Sequence, residues 1–277
     1  VWRSDRCSSD ESRKSRDGGA GRAAVTYCVG LLVQDGLVMI ADTRTNAGVD
    51  NISTFRKLHV YETPGEKLLA IATAGNLSTT QTALSLLQEG VLNPDTGQVE
   101  TLSSCTSLFR AAQLTGHAIR SVRQQMTPAA QASQQTGQSI SFDATLLLGG
   151  QMAGGPMRLF MIYGEGNFIE CGPDTPYLQI GEFKYGKPIL DRSITFETPL
   201  EDVLKIGLIS MDSTMRSNLG VGMPIDILVA RRDVCDAELS YRIEPGEPYF
   251  HDLRERWSAA LRAAHNAIPR PPYAGTA

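Results

Sequence analysis

The chain has 277 residues, 42% of them hydrophobic and 20% charged. At roughly 100–200 residues per domain it holds one large domain or two small ones, and its composition excludes a disordered or fibrous chain. A net charge of −4 argues against general nucleic-acid binding, and no apolar run approaches the roughly 20 residues of a membrane span.

Five cysteines stand at 7, 28, 105, 171 and 235, an odd count with no C-x-x-C pair. A reduced compartment without a disulfide framework follows, and the expected location is the cytoplasm. The four histidines are scattered and no H-E-x-x-H is present, which argues against a zinc hydrolase.

Residues 1–24 are rich in Arg, Ser, Asp and Gly, and the apolar pattern begins abruptly at Val25. The stretch lacks the apolar core of a secretory signal, and Asp5, Asp10, Glu11 and Asp17 do not suit a mitochondrial transit peptide. Two readings compete: a disordered tail, or translation that starts at a valine codon at position 25, with the initiator removed before Thr26. The expectation is that residues 1–25 lie upstream of the mature protein and that 26–277 form one domain.

Apolar runs at 26–33 and 37–41 flank Gln34-Asp35-Gly36, the signature of a hairpin. Residues 68–73 read as a buried strand. Helices are expected from about Ser78 to Gln88 and from about Leu102 to Met126, where apolar residues keep a 3.6-residue period. Residues 127–140 read as a loop. Strands resume at 144–148, 157–163 and 167–171, and the Gly-rich run 149–156 reads as the turn between the first two. That run lacks the Gly-Lys-Ser/Thr of a phosphate loop, and Gly186-Lys187-Pro188 is no better. Thr198-Pro199-Leu200-Glu201 reads as a capping box that opens a helix. Strands at 225–229 and 237–242 and a helix over about 249–265 follow, with a frayed Pro-rich end. His251 reads as a surface residue, and 252–262 as a solvated helix face or an inter-subunit contact. Helices grouped between runs of strands imply an α+β chain of layered antiparallel sheets with helices outside.

The segment 26–75 carries a spaced set of functional side chains. Thr26 opens the first strand in Thr26-Tyr27-Cys28-Val29-Gly30. Asp42 ends the second in Ala41-Asp42-Thr43-Arg44-Thr45-Asn46-Ala47-Gly48. Lys57 lies in Phe55-Arg56-Lys57-Leu58, and Gly75 follows the third strand in Ala72-Thr73-Ala74-Gly75-Asn76. Taken singly, Thr26 is an ordinary strand threonine, Asp42 a strand-end residue and Lys57 a surface lysine. Together, with Asp42 16 residues after Thr26 and Lys57 a further 15 on, the set resembles the proteasome β-subunit and HslV family of N-terminal nucleophile hydrolases, and more closely its bacterial Anbu branch. The resemblance spans 26–243 in element order as well as motif.

That resemblance implies a four-layer αββα sandwich and a threonine peptidase. Thr26 would be the nucleophile, Asp42 and Lys57 its catalytic partners, Gly75 the oxyanion-hole glycine, and Ser217 a candidate auxiliary residue. It implies no metal and no organic cofactor, a peptide or protein substrate, and a homo-oligomer of about a dozen subunits in an open or spiral ring. Neither a nucleic acid nor a membrane is an expected partner, and nothing names an ATPase partner. The alternatives are an amidase for a specific small or modified peptide, or a weakly active or non-catalytic assembly subunit.

The chemistry has its own logic. A threonine hydroxyl is a poor nucleophile until a base takes its proton. A free α-amino group, with a pKa of about 7.7–8.0, is a suitable base near neutral pH, and a threonine that begins the chain carries one. A lysine cation beside it disfavours the ammonium form. The mechanism therefore requires a free nitrogen on Thr26. Proteasome precursors usually process themselves after glycine, whereas Val25 stands here, which favours a start at Val25 over self-cleavage. The stretch 216–226 departs from the family's auxiliary serines and aspartate, as does Gly181-Glu182. Cys28 is the rival nucleophile and reads as a small buried hydrophobe.

Overall fold

The computed structural model describes residues 26–46, 52–93, 97–135 and 141–273. The expectation for residues 1–25 lies outside them, as do 136–140 of the expected loop and Ala47-Gly48 of the motif. Strands β1 (Tyr27–Leu32) and β2 (Gly36–Asp42) form the hairpin, closed by bonds between Val33 and Gly36 around Gln34-Asp35. With β12 (Tyr177–Gly181), β13 (Ile225–Arg231) and β14 (Leu239–Ile243) they make one antiparallel sheet, ordered β12-β1-β2-β13-β14. The second sheet, ordered β11-β10-β9-β6-β5, joins β5 (Leu58–Thr63), β6 (Lys67–Gly75), β9 (Ala144–Met152), β10 (Arg158–Ile162) and β11 (Phe168–Glu170).

Three buried clusters define the layers. Cys28, Leu37, Met39 and Ala41 of the first sheet meet Leu68, Ala70, Ala72, Leu147 and Leu159 of the second. The other face of the second sheet, with Leu69, Ile71 and Leu148, packs on α1 (Leu77–Glu89) and α2 (Leu108–Gln135). The other face of the first, with Tyr27, Val29, Leu31 and Ile40, packs on α3 (Lys187–Ser193), α4 (Leu200–Ser217) and α5 (Pro248–Ala267). The result is the expected helix–sheet–sheet–helix sandwich. It also explains why β1, β2 and β6 read as unbroken apolar runs: both faces of each strand are covered, so the apolar/polar alternation of a half-solvated antiparallel sheet is lost.

Several local readings are corrected. Helix α2 starts six residues late, because 101–107 is tied into turns: Lys67 Nζ bonds the carbonyls of Ser103 and Cys105, and Ser107 Oγ accepts from the Arg110 N–H as the cap. It then runs through Pro128 to Gln135, so 127–135 is helix rather than loop, in keeping with the helix propensity of its Ala and Gln residues. Gly149 and Gly150 continue β9 instead of turning the chain. A Cβ at Gly149 would press on Leu37, Leu159 and Met39, and one at Gly150 would overlap the Leu68 carbonyl; the glycines mark close packing, and the turn comes after Met152. The capping box does not form. Thr198 Oγ1 accepts from Thr195 N, Pro199 is the N-cap of α4, and Glu201 pairs with Arg231.

Sequence periodicity also missed β12, β5, α3 and the two-stranded pairs β3 (Arg44–Asn46) with β4 (Ile52–Thr54) and β7 (Val91–Leu92) with β8 (Val99–Glu100). Most of these are too short to show a period. Among the described residues no helix is long and apolar enough to cross a membrane, and Cys28, Cys105, Cys171 and Cys235 are free.

Candidate active site

Thr26 immediately precedes β1 and is buried. Its carbonyl accepts from the Glu182 N–H at 2.6 Å, just past the end of β12. Gly181 (φ +82°) makes that approach possible, since a Cβ there would overlap the Thr26 carbonyl oxygen.

The hairpin brings Asp42, the last residue of β2, back beside the start of β1. Asp42 Oδ1 accepts from the Tyr27 N–H at 3.1 Å and from Lys57 Nζ at 2.8 Å. Its Oδ2 accepts from the Gly222 N–H at 3.4 Å. Lys57, just before β5, also donates to the Arg44 carbonyl at 2.6 Å. The side chains of Lys57 and Asp42 are only 6% and 0% exposed. Burial pushes the Asp42 carboxyl above its ordinary value, opposed by the Lys57 charge and by the bonds from Lys57, Tyr27 and Gly222.

Gly75 ends β6 with φ +107°, where a Cβ would overlap the Asp143 carbonyl oxygen. The next residue, Asn76, caps α1 by accepting from the Thr79 N–H at 3.1 Å. Gly75 thus lies at the positive end of a 13-residue helix, where developing negative charge is favoured. Thr26, Lys57 and Gly75 line one small cleft with Thr45, Thr73, Ala74, Leu77 and Thr80, and Asp42 lies behind Lys57. A larger groove beside Tyr61, Lys67, Gln88 and Ser103 contains none of the expected site residues.

Four of the five expected residues therefore converge. Ser217 does not: its side chain is exposed at the end of α4 and it is not among the residues lining the cleft. In its place the following loop sends in the Gly222 amide. Gly222 escaped the sequence reading because a backbone N–H has no residue signature; the clue was glycine itself, since a Cβ there would overlap the Arg44 guanidinium. The Arg44 carbonyl and the Tyr27 amide were missed for the same reason. Cys28 is fully buried, with Sγ 3.6 Å from the Thr73 carbonyl, and burial, reinforced by Asp42 and opposed by Lys57, drives its thiol upward, away from the thiolate.

Among solved structures, the chain is similar to Anbu (ancestral beta-subunit) from Yersinia bercovieri, with 46% identity and a TM-score of 0.79 over 89% of this chain and 99% of that one. The chain belongs to the Anbu family. Anbu proteins are proteasome-like and bacterial. Anbu from Hyphomicrobium sp. strain MC1 is 43% identical with a TM-score of 0.78, over 89% of this chain and 99% of that one. A helical assembly of the Anbu complex from Pseudomonas aeruginosa gives 46% identity and a TM-score of 0.78, over 90% and 99% of the two chains. No protein-family model and no curated protein matches the chain.

Proposed function

We propose that this Anbu chain is a threonine peptidase whose nucleophile is Thr26 at the start of the mature polypeptide. The observation that carries the reading is the buried Lys57–Asp42 pair, whose lysine lines the cleft that also holds Thr26 and Gly75. Two donors of the Lys57 ammonium go to Asp42 and Arg44; an ammonium has three, and the third serves the nucleophile.

With residues 1–25 absent, the Thr26 amine takes the hydroxyl proton as Oγ1 attacks the carbonyl carbon of the scissile amide. The Lys57 charge keeps that amine neutral and basic near pH 7. The Gly75 N–H and the N-terminus of α1 receive the oxyanion, a contribution of about 10²–10³ in rate for one donor. The tetrahedral species collapses as the ammonium returns its proton to the leaving amine, and the C–N bond breaks. Water, deprotonated by the same amine, then hydrolyses the Thr26 ester. The protein acts in the cytoplasm. It does so as an assembly of its own copies, and this self-assembly is supported by the helical assembly of the Pseudomonas relative. The cleft is small, which suits a small or modified peptide, and an amidase for such a peptide is the second reading.

The test uses purified chain beginning at Thr26, a β-lactone electrophile and a panel of fluorogenic peptides and small amides. Acylation of wild type is expected, with loss of labelling and hydrolysis by at least about 10³-fold in Thr26→Ala. Absence of labelling, together with hydrolysis no faster than buffer alone in both wild type and Thr26→Ala, would leave a non-catalytic assembly subunit. The panel separates peptidase from amidase.

A further inference from the structure

Glu182 is tied to the nucleophile through its backbone and to a second loop through its side chain. Its N–H bonds the Thr26 carbonyl at 2.6 Å, and its Oε2 accepts from Asn218 Nδ2 at 3.2 Å. Asn218, the C-cap of α4, accepts at Oδ1 from the Gly220 N–H at 2.9 Å. Two residues further on, the Gly222 N–H reaches Asp42 Oδ2 at 3.4 Å. One continuous path thus runs from the backbone of Thr26 through Glu182 and Asn218 to Asp42, the carboxylate that holds Lys57.

We propose that Glu182 and Asn218 form a clasp that fixes the position of Thr26 relative to the Lys57–Asp42 pair. Both are positioning residues, acting through backbone groups rather than on the substrate, and the inference rests on the threonine-nucleophile reading. Other directional bonds hold this loop to the end of β2 and the start of β3: Arg44 Nη1 donates to the Leu219 carbonyl at 3.0 Å, and the Thr43 N–H and Oγ1 donate to the Pro224 carbonyl at 3.1 and 2.7 Å. Burial of Val221 adds depth but no direction. The Glu182–Asn218 bond is what ties the loop to the end of β12, where Thr26 is held. A displacement of about 1 Å between reacting groups is enough to lose about 10² in rate, so one directional link between the two loops has leverage on catalysis.

The test compares full-length chain, processed to begin at Thr26, as wild type, Glu182→Ala, Asn218→Ala, the double variant and Glu182→Gln. It measures β-lactone acylation resolved into reversible affinity and maximal rate, and hydrogen exchange of the 220–222 amides. Each alanine variant is expected to lower the maximal rate about tenfold, the worth of one charge-assisted hydrogen bond, with reversible affinity within about twofold. The double variant loses no more than Asn218→Ala alone, because that substitution already breaks the Glu182 link together with the Gly220 bond. Glu182→Gln keeps most of the rate, since its side-chain carbonyl still accepts from Asn218, and exchange at 220–222 quickens only in the alanine variants. Unchanged rates, losses that multiply in the double variant, or a Glu182→Gln variant as impaired as Glu182→Ala would each overturn the clasp. If wild type takes up no β-lactone, the threonine reading fails instead, and unaltered amide exchange in Asn218→Ala then rejects the clasp on its own.

Discussion

Two aspartates, Asp42 and Asp212, have side chains closed off from solvent, and they differ in their partners. Asp212 on α4 pairs with Arg216 on the same helix at 3.0 Å and with Arg254 on α5 at 2.5 Å. Those arginines are 49% and 31% exposed, so the cations keep much of their hydration and the pair stitches α5 to α4. Asp42 has a lysine that is itself buried. Taking both charges out of water costs several kcal/mol per ion, and a well-packed apolar pair would often serve stability as well or better. A wholly buried pair beside a cleft is thus a poor stitch and a suitable electrostatic device. The same chemistry in two settings separates a structural ion pair from a functional one.

Substitutions can break that contrast. The largest effect is expected at Lys57. Lys57→Met leaves Asp42 buried and uncompensated, at a cost of about 3–5 kcal/mol, and abolishes β-lactone acylation. Adding Asp42→Asn restores most of the stability and none of the acylation. Chemical denaturation and labelling of the single and double variants check both statements, and recovered labelling would break the contrast.

The pH dependence follows from the raised Asp42 carboxyl. The folded state holds that proton more tightly than the unfolded chain does. The contribution of this group therefore favours folding at acid pH and is lost as pH rises from the ordinary carboxylate range through the raised value. Without Lys57 the value rises further, so the Lys57→Met penalty is greatest near neutral pH and shrinks on acidification. Urea titrations across the acid range measure it; a penalty independent of pH would mean that Asp42 is not the cause.

Gly75→Ala comes next. Forcing a Cβ onto φ +107° against the Asp143 carbonyl costs about 1–3 kcal/mol and lowers acylation about 10²-fold by displacing the oxyanion donor. Thermal melts and labelling rates read the two effects. The smallest is expected at Arg254→Ala: Asp212 keeps Arg216, Arg254 is partly solvated, and the loss is about 1 kcal/mol or less with labelling unchanged. Labelling that fell with Arg254 would join the two regions that the contrast separates.

The contrast also marks what was legible in the sequence. Thr26, Asp42, Lys57 and Gly75 could be read because side-chain identity and spacing carry them, and the Asp-Gly hairpin fixes how β2 returns to β1. The long strands were legible from apolar runs, and α1 from its period. Gly222, Tyr27 and Arg44 contribute backbone groups to the site, and those leave no trace in residue type. Ser217 was placed by analogy of position, but the turn after α4 faces it outward and brings an amide in. Gly149 and Gly150 misled because glycine marks turns and tight packing alike, and only the neighbouring Leu37, Leu159 and Leu68 carbonyl distinguish the two.

The most direct measurement is mass spectrometry of active, β-lactone-treated protein isolated from cells, reading both the first residue and the modified one. A chain that begins at Thr26, with the adduct on the Thr26 hydroxyl, is expected. An active chain in which any residue precedes Thr26, or an adduct on Cys28, would contradict the amine-as-base mechanism.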